Sequence, residues 1–334
     1  MTSFYGGGEE YIVRLVTCLQ DDFDIKLICC SKLLGSKLRE HRLQIQLVTG
    51  STPATYLRIF YRILSLPQKG QQVLLLNGQG PVYFALFLPR AFKKLVYVHH
   101  TSIEYYNKPT KQKFVIHCLR KVGTVICVSN FLKNEVDKYI KNKLVKVIYN
   151  WLPADAVRPI DYPVKDPWLR IIFIARLVEV KGILPLIEVV IELANVELSI
   201  LGDGPLYEQI KSNYGSYSNI KLLGWQNDKA AFFQRSHLNV VNSFSEGYSY
   251  TPVEAGVCGI PSLISDLEVH REISDNGKYA FLFKTGSKED LKAKLIYLRD
   301  HRNELVKMSE ECRIYFTNKF VYSDYKEQYK KELT

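Results

Sequence analysis

Short apolar, β-branched runs alternate along this chain with longer segments in which apolar residues recur every three or four positions, the pattern of parallel strands joined by amphipathic helices. In the first 150 residues the runs that predict strands are Ile25–Cys30, Ile45–Val48, Val73–Leu76, Leu95–Val98, Thr124–Val128 and Val145–Tyr149. Beyond residue 168 they are Ile171–Ala175, Val196–Leu201, Ile220–Leu223, Leu238–Val241, Ser262–Ile264 and Ala280–Phe283. Between the two sets, Trp151–Trp168 carries Pro153, Pro159, Pro163 and Pro167, which exclude a regular helix and predict a linker. From Ser287 to the end the pattern is helical around Leu291, Leu295, Leu298, Leu305 and Met308. The expected fold is α/β: two Rossmann-like, doubly wound domains, residues 1–150 and 169–334, joined by the linker 151–168 and facing each other across a cleft. The final helices are expected to pack back toward the first domain.

The chemistry concentrates in Ser243-Phe244-Ser245-Glu246-Gly247-Tyr248-Ser249-Tyr250-Thr251-Pro252-Val253-Glu254. Glu246 follows the strand run Leu238–Val241 and so belongs to a strand-end loop, while Glu254 falls in the run leading to Gly259-Ile260-Pro261. In open α/β sheets ligands bind beyond the carboxyl ends of the strands, where helix N-termini offer N–H groups to anions. Two carboxylates there can accept hydrogen bonds from sugar and ribose hydroxyls, so a nucleotide-sugar pocket is expected. Arg176 and Lys181, separated by five positions across a strand-to-helix turn, can converge on a diphosphate and offset its charge without a metal. The turn Leu201-Gly202-Asp203-Gly204-Pro205 allows close backbone approach at Gly202 and Gly204 and is expected to shape the same pocket. Gly202-Asp203-Gly204 and Gly78-Gln79-Gly80 fail as dinucleotide fingerprints, because Tyr207 and Tyr83 stand at the third glycine, which disfavours a nicotinamide-dependent dehydrogenase.

Charge changes the picture for the first half. Residues 1–150 carry 22 Lys/Arg against 9 Asp/Glu, a net +13, whereas residues 151–334 carry 23 against 25, a net −2, which together give the chain's +11. An anionic partner is therefore expected there. With no recognition-helix, zinc-finger or aromatic RNA-binding signature, nucleic acid is not expected, and an anionic membrane surface accounts for the charge. The segment Pro89–Lys121 holds Arg90, Lys93, Lys94, Lys108, Lys111, Lys113, Arg120 and Lys121 against Glu104, near apolar Phe87, Leu88, Phe92 and Phe114. No apolar run approaches a membrane span and no signal peptide is visible, so the chain is expected in the cytoplasm, peripheral on the membrane's cytoplasmic face. Cys18, Cys29, Cys30, Cys118, Cys127, Cys258 and Cys312 form no zinc spacing and read as packed free thiols. Asp22-Phe23-Asp24 reads as a solvated turn rather than a metal site, and no cofactor or metal is expected.

In order along the chain come Gly6-Gly7-Gly8-Glu9, His100-Thr101-Ser102, Val128-Ser129, Ile148-Tyr149-Asn150, Arg176 with Lys181-Gly182, Gly202-Asp203-Gly204-Pro205, and Glu246 with Glu254 before Gly259-Ile260-Pro261. With these the sequence resembles the retaining glycosyltransferases of family 4, which have the two-domain GT-B fold. The resemblance implies transfer of a sugar from a nucleotide diphosphate sugar to a glycan or lipid-linked acceptor in cell-surface polysaccharide biosynthesis, without a metal. It implies that Arg176 and Lys181 hold the diphosphate, Glu254 the ribose, and Glu246 with the backbone of Gly247, Tyr248 and Ser249 the transferred sugar. His100 would lie near donor sugar and acceptor, and Gly7 and Gly8 would let the N-terminal loop approach the phosphates. Ser249 stands where many members carry glycine, and Asn150-Trp151-Leu152-Pro153 replaces the usual Asn-Gly. Members have a full strand before the glycine turn; here Met1 to Tyr5 precede Gly6, which implies a first domain lacking most of its first strand. A non-catalytic GT-B homologue serving as an assembly subunit and a sugar-nucleotide epimerase are the competing readings.

Overall fold

A computed structural model of the chain describes residues 6–29, 32–39, 44–47, 53–65, 72–78, 80–88, 92–106, 108–141, 144–154, 158, 162, 166–321 and 323–334. It divides into two units, residues 1–150 with 323–334 and residues 151–322.

In the first unit, α1 (Gly7–Leu19) leads through β1 (Lys26–Cys29), α2 (Lys32–Arg39), β2 (Gln44–Leu47), α3 (Pro53–Leu64), β3 (Val73–Asn77), β4 (Lys94–His99), α4 (Pro109–Leu119), β5 (Thr124–Cys127) and α5 (Asn130–Tyr139) to β6 (Leu144–Val147). All described pairings are parallel. They form a two-stranded sheet β1-β2 and a four-stranded sheet in the order β3-β4-β5-β6. Helix α3 covers both pieces: its buried Ile59 and Ile63 join Phe84 in a cluster against which Ile28 of β1 and Leu74 of β3 pack. The expected stub of a first strand, Met1–Tyr5, lies outside the described residues. The four residues of β5 are all buried, as a parallel strand covered on both faces requires. Residues 323–334 belong here through α13 (Ser323–Leu333): the Tyr329 hydroxyl bonds that of Tyr11 on α1, and Lys326 and Lys330 hold Asp22 at 2.7 and 3.0 Å. Asp22 lies exposed in the turn after α1 and is ion-paired there.

In the second unit β7 (Leu169–Ile174), α6 (Ile183–Val190), β8 (Val196–Leu201), α7 (Tyr207–Tyr214), β9 (Ile220–Gly224), α8 (Ala230–Phe233), β10 (Leu238–Val241), α9 (Tyr250–Cys258), β11 (Ser262–Ser265), α10 (Glu268–Ser274) and β12 (Phe281–Phe283) precede α11 (Lys288–Asp300) and α12 (Arg302–Phe320). The six strands are parallel in the order β12-β11-β10-β7-β8-β9. The order reverses between β7 and β10, which makes their carboxyl ends the place where this sheet opens a crevice. A core of Ile171, Phe173, Leu186, Ile187, Leu198, Ile200 and Leu295, among others, lies under the sheet. At about 1.5 to 3 kcal/mol per buried side chain, such a layer holds the strand ends rigidly. Two expectations change here. Trp151 and Leu152 of the expected linker are buried and part of this unit, with the Leu152 amide donating to Phe320 O at 2.9 Å; Pro159 and Pro163 lie outside the described residues. Of the final helices, α11 and α12 also belong here, α12 crossing α9 where Gly256 leaves space for the Phe316 ring.

Candidate functional site

The candidate residues fall into two groups, one on each unit. On the second unit they cluster at the reversal point of the sheet. Arg176 stands two residues past the end of β7, and Lys181 closes a single 3-10 turn, Glu179–Lys181, that leads into α6. Gly182 makes this junction possible: its φ is +65°, and a Cβ there would stand 2.0 Å from Asn242 O. Asn242 in turn donates from Nδ2 to Gly182 O at 2.7 Å, and the Phe244 amide donates to Val180 O at 2.8 Å. These bonds stitch the loop after β7 to the loop after β10. They bring Lys181 Nζ to 2.5 Å from Glu246 Oε1, which also accepts from the Ser243 hydroxyl at 2.7 Å.

Glu254 lies inside α9 rather than at its first position, and Lys229, just before α8, donates to its Oε2 at 2.9 Å. The start of α9 is anchored by the Thr251 hydroxyl, which donates to Ile174 O at 3.1 Å at the end of β7. Tyr248 is buried, edge-on to Tyr250 with ring centroids 5.6 Å apart, and Ser249 is the N-cap residue of α9. Among the described residues the Arg176 guanidinium pairs with no carboxylate. Two cation–carboxylate pairs and one uncommitted guanidinium therefore share this edge of the sheet, a charge pattern that fits a diphosphate carrying hydroxylated groups.

Gly202 and Gly204 are required by a close approach of backbone to backbone. A Cβ at Gly202 would fall 1.9 Å from Ala175 O, and one at Gly204 would fall 2.5 Å from Leu177 O. Their backbones face the segment that carries Arg176, and the Leu177 amide donates to Asp203 O at 2.9 Å. The place a Cβ would take at each glycine is thus filled by the backbone that carries Arg176.

On the first unit, Gly6 is the N-cap of α1, with Gly7 and Gly8 inside its first turn rather than in a free loop. The Gly6 amide donates to Glu9 Oε2 at 3.1 Å, so Glu9 caps the helix. A side chain at Gly8 would meet nothing within 4 Å, so local packing does not demand the glycine. His100 follows β4 and its Nε2 lies 2.7 Å from Asn77 Oδ1 at the end of the neighbouring β3, with Tyr11 edge-on at 4.5 Å. Burial pushes His100 down to about 3, the adjacent His99 adding to it, so the imidazole is neutral at pH 7. The loop beyond is fixed by buried Glu135 of α5, which accepts from the Ser102 hydroxyl at 2.7 Å and from the Ile103 and Glu104 amides at 2.9 and 3.2 Å.

Asn77, Glu135, Lys229, Ser243 and His270, which bonds Ser249, all escape a reading of the sequence. All but Ser243, three residues before Glu246, sit far along the chain from the residue they serve; of those distant ones only Lys229, a charged residue shortly after the strand-end Gly224-Trp225, offers a local signal.

The expected basic segment is partly committed to other partners. Lys93 donates to Thr334 O at 2.7 Å, Lys94 lies 3.7 Å from Glu332, and Arg120 reaches Tyr139 O; Arg90 lies outside the described residues. Leu88 and Phe92 pack onto the Ile59–Ile63–Phe84 cluster, so only Phe87 and Phe114 of the four apolar residues are exposed. The outer face of α3 adds to them: Leu57, Tyr61, Phe87 and Phe114 are 57%, 68%, 67% and 44% exposed, and Arg58 and Arg62 stand exposed beside the first two. Among the described residues no helix is long and apolar enough to cross a membrane.

Two parallel-sheet α/β units, one with an anion-ready switch point, define the GT-B class of nucleotide-dependent transferase folds. Residues 5–156 match Glycosyltransferase Family 4 and residues 162–314 match Glycosyl transferases group 1; the chain belongs to this family. An uncharacterized glycosyltransferase of Methanocaldococcus jannaschii is 30% identical over 200 residues, covering 59% of this chain and 55% of its own. The lipopolysaccharide core biosynthesis glycosyltransferase LpsD of Rhizobium meliloti is 26% identical over 185 residues, 54% of each chain. The chain spans about half the length of the curated relatives it matches. Among solved structures, Anabaena HepE in complex with UDP-glucose has a TM-score of 0.84 at 17% identity, covering 100% of this chain and 97% of that one, and so shares the fold.

Proposed function

We propose that this chain transfers a sugar from a nucleoside diphosphate sugar to a glycan or lipid-linked acceptor of cell-surface polysaccharide synthesis, with retention at the anomeric carbon. The observation that carries the reading is the set Arg176, Lys181–Glu246 and Lys229–Glu254 flanking the reversal point between β7 and β10. Arg176 and Lys181 are the groups for the diphosphate, Glu254 for the ribose and Glu246 for the sugar. In the reaction the anomeric C–O bond to the diphosphate breaks, its electron pair passing to the phosphate oxygen, and the acceptor hydroxyl oxygen bonds the same face while its proton passes to the leaving diphosphate. The two cations stabilise the charge that develops on the leaving group, which is where preorganised electrostatics contribute most, and no metal is required for it. The HepE structures hold UDP and UDP-glucose, which favours a uridine donor here as well. The test is thermal stabilisation by a panel of nucleotide sugars, followed by acceptor-dependent release of nucleotide. Stabilisation without release under any acceptor would favour a non-catalytic homologue, release of an isomerised donor an epimerase, and no stabilisation by any donor would sink the proposal.

A second part of the reading concerns where the acceptor is met. The exposed Leu57, Tyr61, Phe87 and Phe114 beside Arg58 and Arg62 combine apolar insertion with attraction to acidic headgroups, the chemistry of an interfacial face. It supports peripheral attachment on the cytoplasmic side of an anionic membrane. Sedimentation with liposomes tests it: binding to anionic but not neutral vesicles at low salt is expected, and Leu57→Glu with Tyr61→Glu should abolish it. Equal binding to both vesicle types, or to neither, removes the membrane role.

A further inference from the structure

Ser249 is the N-cap of α9, a position from which a serine oxygen ordinarily accepts a hydrogen bond from the helix's first turn. Here it makes no capping bond. Its hydroxyl turns into the interior, where Oγ lies 2.8 Å from Nε2 of His270 on α10, with both side chains buried. The other ring nitrogen, Nδ1, stands 2.6 Å from the carbonyl oxygen of Ser265. A carbonyl only accepts, so Nδ1 carries the proton, Nε2 presents its lone pair, and the Ser249 hydroxyl donates to it.

A second arm starts from the same place. The hydroxyl of Ser265 donates to Ser243 O at 2.7 Å, and the hydroxyl of Ser243 donates to Glu246 Oε1. The segment between β10 and α9 is therefore held at both ends from one point: at Ser243 through Ser265, and at Ser249 by the imidazole itself. Glu246 and Gly247 lie between the two anchors. Ser265 and His270 are fully buried, and burial lowers the imidazole's proton affinity, with Lys181 adding to it and Glu246, the Ser265 carbonyl and Asp266 opposing it; the neutral donor–acceptor tautomer is the one these bonds fit.

We propose that His270 is a positioning residue for the sugar-binding loop: through Ser249 and Ser265 it fixes the conformation of residues 243–249 and thereby presents the Glu246 carboxylate. The proposal rests on the reading that Glu246 addresses the transferred sugar, and it assigns His270 no contact with the donor.

Ser249→Ala and His270→Asn break the same bond from its two sides, and the Asn amide can keep the donation to Ser265 O, so both variants are expected to fold. Amide hydrogen exchange on the ligand-free variants should show faster exchange at residues 246–249 than in the parent, with the rest of the second unit unchanged. With UDP-glucose, UDP-galactose and UDP-N-acetylglucosamine as donors, kcat should fall about tenfold in each, the scale of one hydrogen bond, while the dissociation constant for bare UDP stays within about twofold. The double variant should be no worse than the poorer single one, because one bond is lost in all three. Unchanged exchange in the loop overturns the proposal whether or not any donor is turned over, which separates its failure from failure of the proposed function. So does a loss of kcat matched by an equal loss of UDP affinity, or multiplicative losses in the double variant.

Discussion

Lys181 and Glu246 were each expected at the donor, and the structure pairs them with one another. Their side chains are 24% and 10% exposed. Breaking a fully buried ion pair from one side costs about 3 to 5 kcal/mol, whereas an exposed pair contributes about 0 to 1 kcal/mol. At this intermediate exposure Lys181→Met should destabilise the second unit by about 2 kcal/mol, because it strands the less exposed partner, Glu246, with the Ser243 hydroxyl as its remaining donor. Glu246→Gln should cost about 1 kcal/mol or less, since the lysine that remains can swing its ammonium to water. The double variant, which strands neither charge, should be no less stable than Lys181→Met alone. For a unit of this size about 2 kcal/mol moves the melting temperature by roughly 4 to 8 °C, well within the reach of calorimetry. The same pair of variants separates the two roles in binding. Lys181→Met should weaken UDP, whereas Glu246→Gln releases Lys181 toward the diphosphate and should leave UDP affinity intact or improved while turnover falls. Additive losses of stability, or equal losses of UDP affinity in the two single variants, would refute the reasoning.

Arg176→Ala should lower kcat/KM by about 2 to 4 kcal/mol of transition-state stabilisation, the scale of one preorganised electrostatic group, with no change in melting temperature because no carboxylate pairs with it among the described residues; an unchanged kcat/KM contradicts its assignment to the diphosphate. Glu254→Gln and Lys229→Ala should each weaken binding of bare UDP, measured by calorimetry, since Lys229 orients the carboxylate; full affinity in Lys229→Ala would leave that lysine a surface charge. Activity should persist in excess chelator, and a complete loss that manganese or magnesium restores would overturn metal independence. His99 is buried with neither ring nitrogen hydrogen-bonded, and burial lowers it to about 4. The unfolded chain takes up that proton near pH 6.5, so stability is full above about pH 6.5 and falls by up to about 1.4 kcal/mol per pH unit as the pH drops toward 4. His100 and His270, also lowered by burial, add to the same acid slope, so His99→Leu should reduce it in pH-dependent melting without removing it, and an unaltered slope would show that His99 does not contribute.

The strands were legible because each is a short, mostly apolar run between helical segments, buried at every position in β5, β10 and β11. All twelve expected runs coincide with observed strands, with ends moved by a residue or two, as with Leu95–Val98 inside Lys94–His99 and Ala280–Phe283 around Phe281–Phe283. Helical periodicity, by contrast, marks an element without saying what it packs on. The amphipathic pattern after Ser287 is the same in α11, α12 and α13, yet only the last belongs to the first unit, through single contacts such as Tyr11 with Tyr329. The basic segment around Lys93 and Lys94 shows the same limit from the side of charge: the sequence counts cations, and the fold assigns two of them to Thr334 and Glu332.

Within the site, what was legible were residues whose chemistry and neighbours lie in one stretch, and what was not were their supports. Arg176 and Lys181 declare themselves by charge across a strand-to-helix turn, and Glu246 and Glu254 by spacing. The bonds that aim them join positions 21 to 65 residues apart: Lys181 to Glu246, Lys229 to Glu254, Ser249 to His270. The first of these exists only once β10 lies beside β7, because the reversal of strand order at that point is what brings two loops distant in sequence to one edge. The glycines make the same point from the backbone. A sequence displays only that Gly202 lacks a side chain, whereas the structure shows the place of its Cβ taken by Ala175 O. Replacing Gly202 would displace the 175–177 segment and with it Arg176, so Gly202 governs where that guanidinium stands.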